Sequence, residues 1–465
     1  VLLGNGNGTF GTENDYGTQS YPHSVAIGDL NGDGKPDLAV TNSQSHTVSV
    51  LLGSGNGCFG GKSDFATGNF PVSVAIGDFN GDGRLDLVTA NGTNTVSVLL
   101  GRGDGTFWPK KRDYGTGNDP YSVAIGDLSG DGHPDLAVAN SDYFSGSTVS
   151  VLLGNGDGTF GIRNDYGTGL GPISVAIGDL NVDGKLDLAV ANFSASTVSV
   201  LLGNGDGTLL PKFDYGTGIC PSSVAIGDLS RDGEPDLAVA NYDHYGSGNT
   251  VSVLLGSGDG TFGAKCDYGT GLGPCSVAIG ALDGDEDMDL AVANEGIGNN
   301  GNTVSVLLGN GDGTFEAKAD YGAGRSPIAV AIGDMNRDAR QDLAVANYYD
   351  DTVSALINIG PANPAGVLSP TWTGNGPLVR FYPNPARGPA TFRIVVPHAG
   401  GVSMGIYDIV GHLVRTVLDA ALAPGVHTVP WDARDDRGAP VSSGVYYYQV
   451  RVGDRKTESR LMILR

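Results

Sequence analysis

The 465-residue chain carries 51 acidic against 27 basic side chains, for a net charge of −24. A surface that negative repels nucleic acid and anionic membranes, and no run of about eighteen apolar residues offers a membrane-spanning helix. The 76 Gly and 23 Pro would suggest disorder if unpatterned, but here they recur at a fixed period and read as turn residues.

Val1 falls in the middle of a repeat, so a preceding stretch that includes a signal peptide is expected. VLLGNGNGTF (1–10) reads as a third strand and its turn, and the segment up to Thr18 as a fourth strand. Then comes SVAIGDLNGDGKPDLAV (24–40), which recurs from Ser73, Ser122, Ser174, Ser223, Ser276 and Ala329. Seven copies spaced by about 50 residues indicate a propeller or solenoid. Each period holds four short apolar runs: SVAIGD, DLAVAN, TVSVLLG and the stretch leading to DYG. They are rich in Val, Ile and Leu and bounded by Gly, Asn and Asp, which is a strand signature. Four antiparallel strands make one blade, and blades must stack to cover both faces. The predicted fold is all-β, a seven-bladed β-propeller over 1–360. TVSALINIG (352–360) ends the last repeat without a fourth strand. The N-terminal fourth strand is therefore expected to complete that blade, with an eighth blade left open by the spare strand at Val1–Leu3.

Residues 361–376 have linker composition. Residues 377–465 show six or seven strand-like runs, among them TFRIVVP and GVYYYQVRV. Their length and spacing predict a small immunoglobulin-like sandwich.

Cys58, Cys220, Cys266 and Cys275 form no C-x-x-C pair. Cys220 and Cys275 flank Pro residues in successive repeats, so a disulfide between them is one alternative and four half-buried thiols the other.

The chemistry lies between the first and second strands, in D-x-N-x-D-G-x-x-D. In the first blade the candidate ligands are Asp29, Asn31, Asp33, the Lys35 carbonyl and Asp37. The second blade supplies Asp78, Asn80, Asp82, Arg84 and Asp86, and the third Asp127, Ser129, Asp131, His133 and Asp135. The fourth supplies Asp179, Asn181, Asp183, Lys185 and Asp187, and the fifth Asp228, Ser230, Asp232, Glu234 and Asp236. In the sixth, Ala281 replaces the first Asp and leaves Asp283, Asp285, Asp287 and Asp289. The seventh has Asp334, Asn336, Asp338, Arg340 and Asp342, with Ala339 at the turn Gly. Alternate side chains of a tight loop converge, and hard oxygen donors suit Ca²⁺. The closing Asp stands at position nine, and no helix flanks the loop, so this is not an EF-hand. A polar hairpin also favours Asp, Asn and Gly, but does not account for three Asp at fixed positions in six of seven copies. The expected cofactor is about one Ca²⁺ per blade, with the sixth site doubtful.

On these residues the first 360 positions resemble the FG-GAP or VCBS-type repeat family, as in the integrin α-subunit propeller. The resemblance implies calcium in the blade hairpins and a role in adhesion or ligand binding. FYPNPARGPATFRIVVP, IYDIVGHLVRTV and KTESRLMILR resemble the C-terminal sorting domains of type IX secretion and the Ig-like domain of the flagellar hook-capping protein. That implies engagement of secretion machinery and an extracellular or outer-surface location.

Strands alternate in direction, so the calcium loops and the GNGDG turns should share one face. The variable loops should share the other, with aromatics that include Tyr143, Phe144, Tyr242, Tyr245 and Tyr348. A protein or glycan ligand is expected there. Arg102-Gly103-Asp104 spells an adhesion tripeptide but occupies a GNGDG turn, and reads as a turn. A non-enzymatic binding module is expected. The alternative, a carbohydrate- or lipid-active enzyme, would need one convergent, non-repeated set of acid, base or metal ligands, and none stands out in the sequence.

Overall fold

In the computed structural model, residues 9–242, 249–285, 287–296, 298, 300–358, 378–382, 390–396, 400–408, 412–423, 425–452 and 455–463 are described. Their regular elements are all β-strands. The chain divides into two compact units, Val1–Gly360 and Pro361–Arg465. The expected linker, 361–376, and the spare strand at Val1–Leu3 lie outside the described residues.

Strands Pro22–Gly28, Asp37–Asn42, Thr47–Leu51 and Ser63–Ala66 form the first blade as an antiparallel meander. The second strand, DLAVTN, is buried along its whole length, because each face of the sheet meets a neighbouring blade. Its polar ends therefore need internal partners. Asp37 accepts the amides of Leu30 (2.9 Å) and Gly53 (2.7 Å). Asn42 Nδ2 donates to Ser49 Oγ at 2.8 Å, and Ser49 Oγ donates to Asp64 Oδ1 at 2.6 Å. The same Asn–Ser–Asp relay recurs in every blade, for example Asn192–Ser199–Asp214.

Seven hydrophobic clusters fill the seven interfaces between adjacent blades. First strands pack side by side around the axis, and Pro327–Gly333 packs on Pro22–Gly28. A Cβ on Gly28 would stand 3.1 Å from Ile76 of the next blade, and one on Gly333 3.0 Å from Ile27. Glycine there lets each inner strand accept the neighbour's isoleucine, and the Gly333–Ile27 contact closes the ring at seven blades, not eight.

The N-terminal strand Asn14–Gly17 completes the last sheet, pairing with Thr352–Leu356. Phe10 bridges to Asn358 and stacks edge-on with Tyr321 at 5.2 Å, the slot that Phe59 fills against Tyr16. One inter-blade link is missing at this seam. Ser24 Oγ accepts Val74 N at 3.3 Å, and the equivalent bond recurs at Ser73, Ser122, Ser174, Ser223 and Ser276. The seventh position is Ala329, which has no hydroxyl.

The C-terminal unit has a three-stranded sheet of Leu378–Tyr382, Ala390–Val396 and Gly425–Trp431. Its four-stranded sheet contains Leu413–Leu422, Gly400–Tyr407, Gly444–Val452 and Arg455–Ile463. Phe392, Met404, Trp431, Tyr448 and Val450 share one core, with Phe392 and Tyr448 edge-on at 5.2 Å.

Candidate functional site: an acidic loop face and an axial cavity

The loop between first and second strands is organised by its first aspartate. In blade one, Asp29 accepts the amides of Asp33 (3.1 Å) and Gly34 (2.8 Å), and Asp33 accepts that of Lys35 at 3.0 Å. Asp78, Asp127, Asp179 and Asp334 do the same in their blades. Positions four and six of the loop take positive φ: Gly32 and Gly34 in blade one, but Val182 (57°), Arg231 (55°), Arg337 (62°) and Ala339 (65°) elsewhere. The sequence reading anticipated this at position six only.

The closing aspartates, Asp37, Asp86, Asp135, Asp187, Asp236, Asp289 and Asp342, are fully buried. Burial, with the charges of the first and fifth loop aspartates added, raises Asp86 and Asp236 to about 6 and Asp342 to about 7. Asp289 is raised to about 7 by burial and the Asp285 charge. Each loop thus stacks carboxylates near enough to repel, and its donors are all oxygen, the chemistry of a hard cation. Their side chains are spent on loop amides here. Among the described residues no three acidic, His or Cys side chains gather on one point.

The sixth loop differs. Ala281 cannot make the two amide staples, and Asp283 takes the Asp285 amide at 3.1 Å. Asp287, one of the candidate ligands of this loop, is buried against Arg231 Nη1 at 2.7 Å.

The turns share this face. Gly105 N donates to Leu30 O at 3.2 Å and Gly158 N to Phe79 O at 2.8 Å, so each turn braces the preceding blade's loop. Arg102 lies 4.5 Å over Trp108 and Asp104 accepts Thr106 N at 3.0 Å. The Arg-Gly-Asp tripeptide is thus an engaged turn.

On the opposite face the inner strand of every blade loses register just after its Pro. A β-bulge re-aims the extra side chain. The residues so placed are His23, Val72, Tyr121, Ile173, Ser222, Cys275 and Ile328, and all but Val72 line an axial cavity of about 550 Å³. A second tier comes from the residue after the buried Asn of the second strand in four of the seven blades: Phe193, Tyr242, Glu295 and Tyr348. Phe144, Cys220 and Tyr349 complete the wall.

Rings run almost continuously around it. Centroids are 6.4 Å apart for Tyr242–Phe193, 4.9 Å for Phe193–Phe144 and 6.4 Å for Phe144–Tyr121. His23 bridges Tyr121 (5.5 Å) and Tyr348 (6.1 Å). The remaining sector holds Ser222, Cys275, Ile328 and Glu295. Burial lowers His23 to about 4, so its ring is neutral. Burial raises the hydroxyls of Tyr121 and Tyr242 and the thiol of Cys275, and the Glu295 charge adds to each.

Of the residues expected to bind ligand, Phe144, Tyr242 and Tyr348 line the cavity. Tyr143 does not; it is 79% exposed on its loop. Tyr245 lies outside the described residues. The sequence reading missed His23, Ser222, Cys275 and Glu295. Their signal was present: the residue after Pro and the residue after Asn change from repeat to repeat while their neighbours do not. Cys220 and Cys275 form no disulfide with each other; one stands before and one after its Pro.

The FlgD Ig-like domain matches residues 386–456. No curated protein matches the chain. A functionally unknown protein from Desulfotomaculum acetoxidans is similar at 16% identity over 70% of this chain and 89% of that one, with a TM-score of 0.49. A humanized mutant of the Chaetomium thermophilum Polycomb Repressive Complex 2, bound to an inhibitor, is similar at 11% identity over 64% and 71%, with a TM-score of 0.44. The FG-GAP-like repeat matches seven times, at residues 1–40, 29–89, 78–138, 130–190, 179–239, 228–292 and 282–345, and with its seven four-stranded blades the chain belongs to that family.

Proposed function

We propose that this protein is a non-enzymatic ligand-binding propeller of the cell exterior, with calcium in its loops and its ligand in the axial cavity. One observation carries the reading. The first three strands of each blade repeat nearly residue for residue, yet the residue after the first strand's Pro and the residue after the second strand's Asn differ from blade to blade, and these two positions supply the cavity's tiers. A volume of about 550 Å³ falls within the range of small-ligand sites, about 300–1,000 Å³. It suits a small molecule or one terminal group of a larger protein or glycan ligand. Glu295 is the one carboxylate among the described lining residues and His23 is neutral, which supports binding over acid–base chemistry.

Calcium, held by loop residues such as Asp29, Asn31, Asp33, the Lys35 carbonyl and Asp37, would relieve the repulsion among the carboxylates and brace the far face. The C-terminal unit serves as an export or anchoring module. A ligand captured on glycan, peptide or metabolite arrays should be lost from the Phe144→Ala, Tyr242→Ala and Tyr348→Ala variants and kept by Arg102→Ala. The reverse pattern moves the site to the calcium face. Deleting 377–465 should leave a folded ring that fails to reach the cell exterior, and arrival of the truncated chain at the surface overturns the export reading.

A further inference from the structure

We infer that the axial cavity selects an organic cation, an alkylated ammonium of choline type, held by the aromatic arc and the Glu295 carboxylate. This rests on the cavity being the ligand site, and names the chemistry that site takes.

Three features of the wall converge. First, the arc from Tyr242 through Phe193, Phe144, Tyr121 and His23 to Tyr348 surrounds most of the axis with successive rings 4.9–6.4 Å apart. Aromatic faces attract cations through the ring quadrupole, most strongly when water is excluded, and cages of such faces hold quaternary ammonium groups.

Second, the charge is of one sign. Among the described residues that line the wall, Glu295 is the only charged one, and none is Lys or Arg. Its field reaches Tyr121, Tyr242, Tyr348 and Cys275, on several sides of the cavity. His23 brings no opposing charge, since burial keeps it neutral down to about pH 4. An anion would meet one carboxylate and the negative field of the whole ring.

Third, three of the wall's hydrogen-bond donors are directed into the protein. His23 Nδ1 donates to Val72 O at 2.8 Å, Ser222 Oγ to Pro274 O at 3.0 Å, and Cys275 Sγ to Pro327 O at 3.2 Å. The Tyr242 hydroxyl is hydrogen-bonded to Glu295. A sugar or a carboxylate needs several donors, and these three are turned away from it. An alkylated ammonium asks for none, sheds water readily and presents methyl groups to the rings.

The carrier could be free choline or a phosphocholine headgroup. The phosphate of the second would sit against the same negative field, so free choline should bind more tightly.

The test is calorimetric titration of the full chain with choline, with phosphocholine and with 3,3-dimethylbutanol, the uncharged isostere of choline. Choline is expected to bind at least about tenfold more tightly than the isostere. In Glu295→Gln the preference should shrink to about threefold or less, with binding of the isostere retained. Tyr121→Leu should weaken choline and leave the melting temperature near that of wild type. Tyr242→Phe provides a second variant that keeps the ring face if Tyr121→Leu fails to fold. Equal affinity for choline and its isostere, or an unchanged preference in Glu295→Gln, overturns the inference. Phosphocholine binding more tightly than choline would assign the site to headgroups. If an array ligand depends on Phe144 and Tyr348 while choline does not bind, the cavity remains the ligand site and only its cation selectivity falls. If the array ligand ignores the cavity variants, the site itself is misplaced.

Discussion

Ser354 Oγ donates to Asp15 Oδ1 at 2.6 Å across 339 residues of sequence, and this bond ties the strand Asn14–Gly17 into the last blade. Ser354 is fully buried, so removing its acceptor strands a hydroxyl. Asp15→Ala should cost about 1–3 kcal/mol. A double-mutant cycle with Ser354→Ala should return a coupling near 1 kcal/mol in urea unfolding; additivity of the two changes would show that the clasp is not energetically real.

The same seam lacks one bond. Ser24, Ser73, Ser122, Ser174, Ser223 and Ser276 each accept an amide from the following blade, whereas Ala329 cannot serve Val25. Ala329→Ser should stabilise the ring by about 0.5–1.5 kcal/mol. An unchanged or lowered urea midpoint would mean that the backbone there already has a better arrangement.

Val182 and Ala339 hold positive φ where other blades use Gly. A left-handed L-residue costs about 1–2 kcal/mol, more for a β-branched one. Val182→Gly and Ala339→Gly should each raise the melting temperature, Val182→Gly by the larger amount. A fall in either variant contradicts the strain.

If the loops hold calcium as proposed, titrating the full chain with it should raise the melting temperature, because a ligand of the folded loops alone stabilises the folded state. Binding should be modest, about 10⁻⁴–10⁻³ M per site as in extracellular modules. The sixth loop should be weakest, since Ala281 offers no carboxylate and Asp287 is held by Arg231. Anomalous diffraction with that site as full as the first would refute this ranking.

Acid stability should report His23. Its folded value, about 4, lies below the ordinary 6.5 because burial disfavours the charged ring. Between those values the unfolded chain binds a proton that the folded ring does not. The stability contributed by the neutral imidazole is therefore present above about pH 6.5 and lost as the pH falls towards 4. Against His23→Gln, which cannot titrate, wild type should lose on the order of 2 kcal/mol between pH 7 and 4.5. Parallel stability curves for the two proteins would show that His23 does not titrate as its burial implies.

The blade count, the four strands of each blade and the shared N-terminal blade were legible in the sequence. A period near 50, short Val-rich runs and a missing fourth strand admit few arrangements. The acidic loops were legible for the same reason: repetition turns a local motif into a pattern. The cavity was not. His23, Ser222, Cys275 and Glu295 are spread over 273 residues, and although they hold fixed places after Pro or Asn, each by itself looks like drift within its own repeat. Nor could the sequence show that Asp287 would turn to Arg231.

Sequence alone thus determined what each repeat must do, because alternating apolar runs and glycine turns act over a few residues. Only the closed ring decided what the repeats do together. A bulge after Pro turns one side chain per blade towards the axis, and seven blades bring six of those different side chains to one cavity. Their meeting depends on closure, through contacts such as Gly333 with Ile27, and no single repeat encodes it.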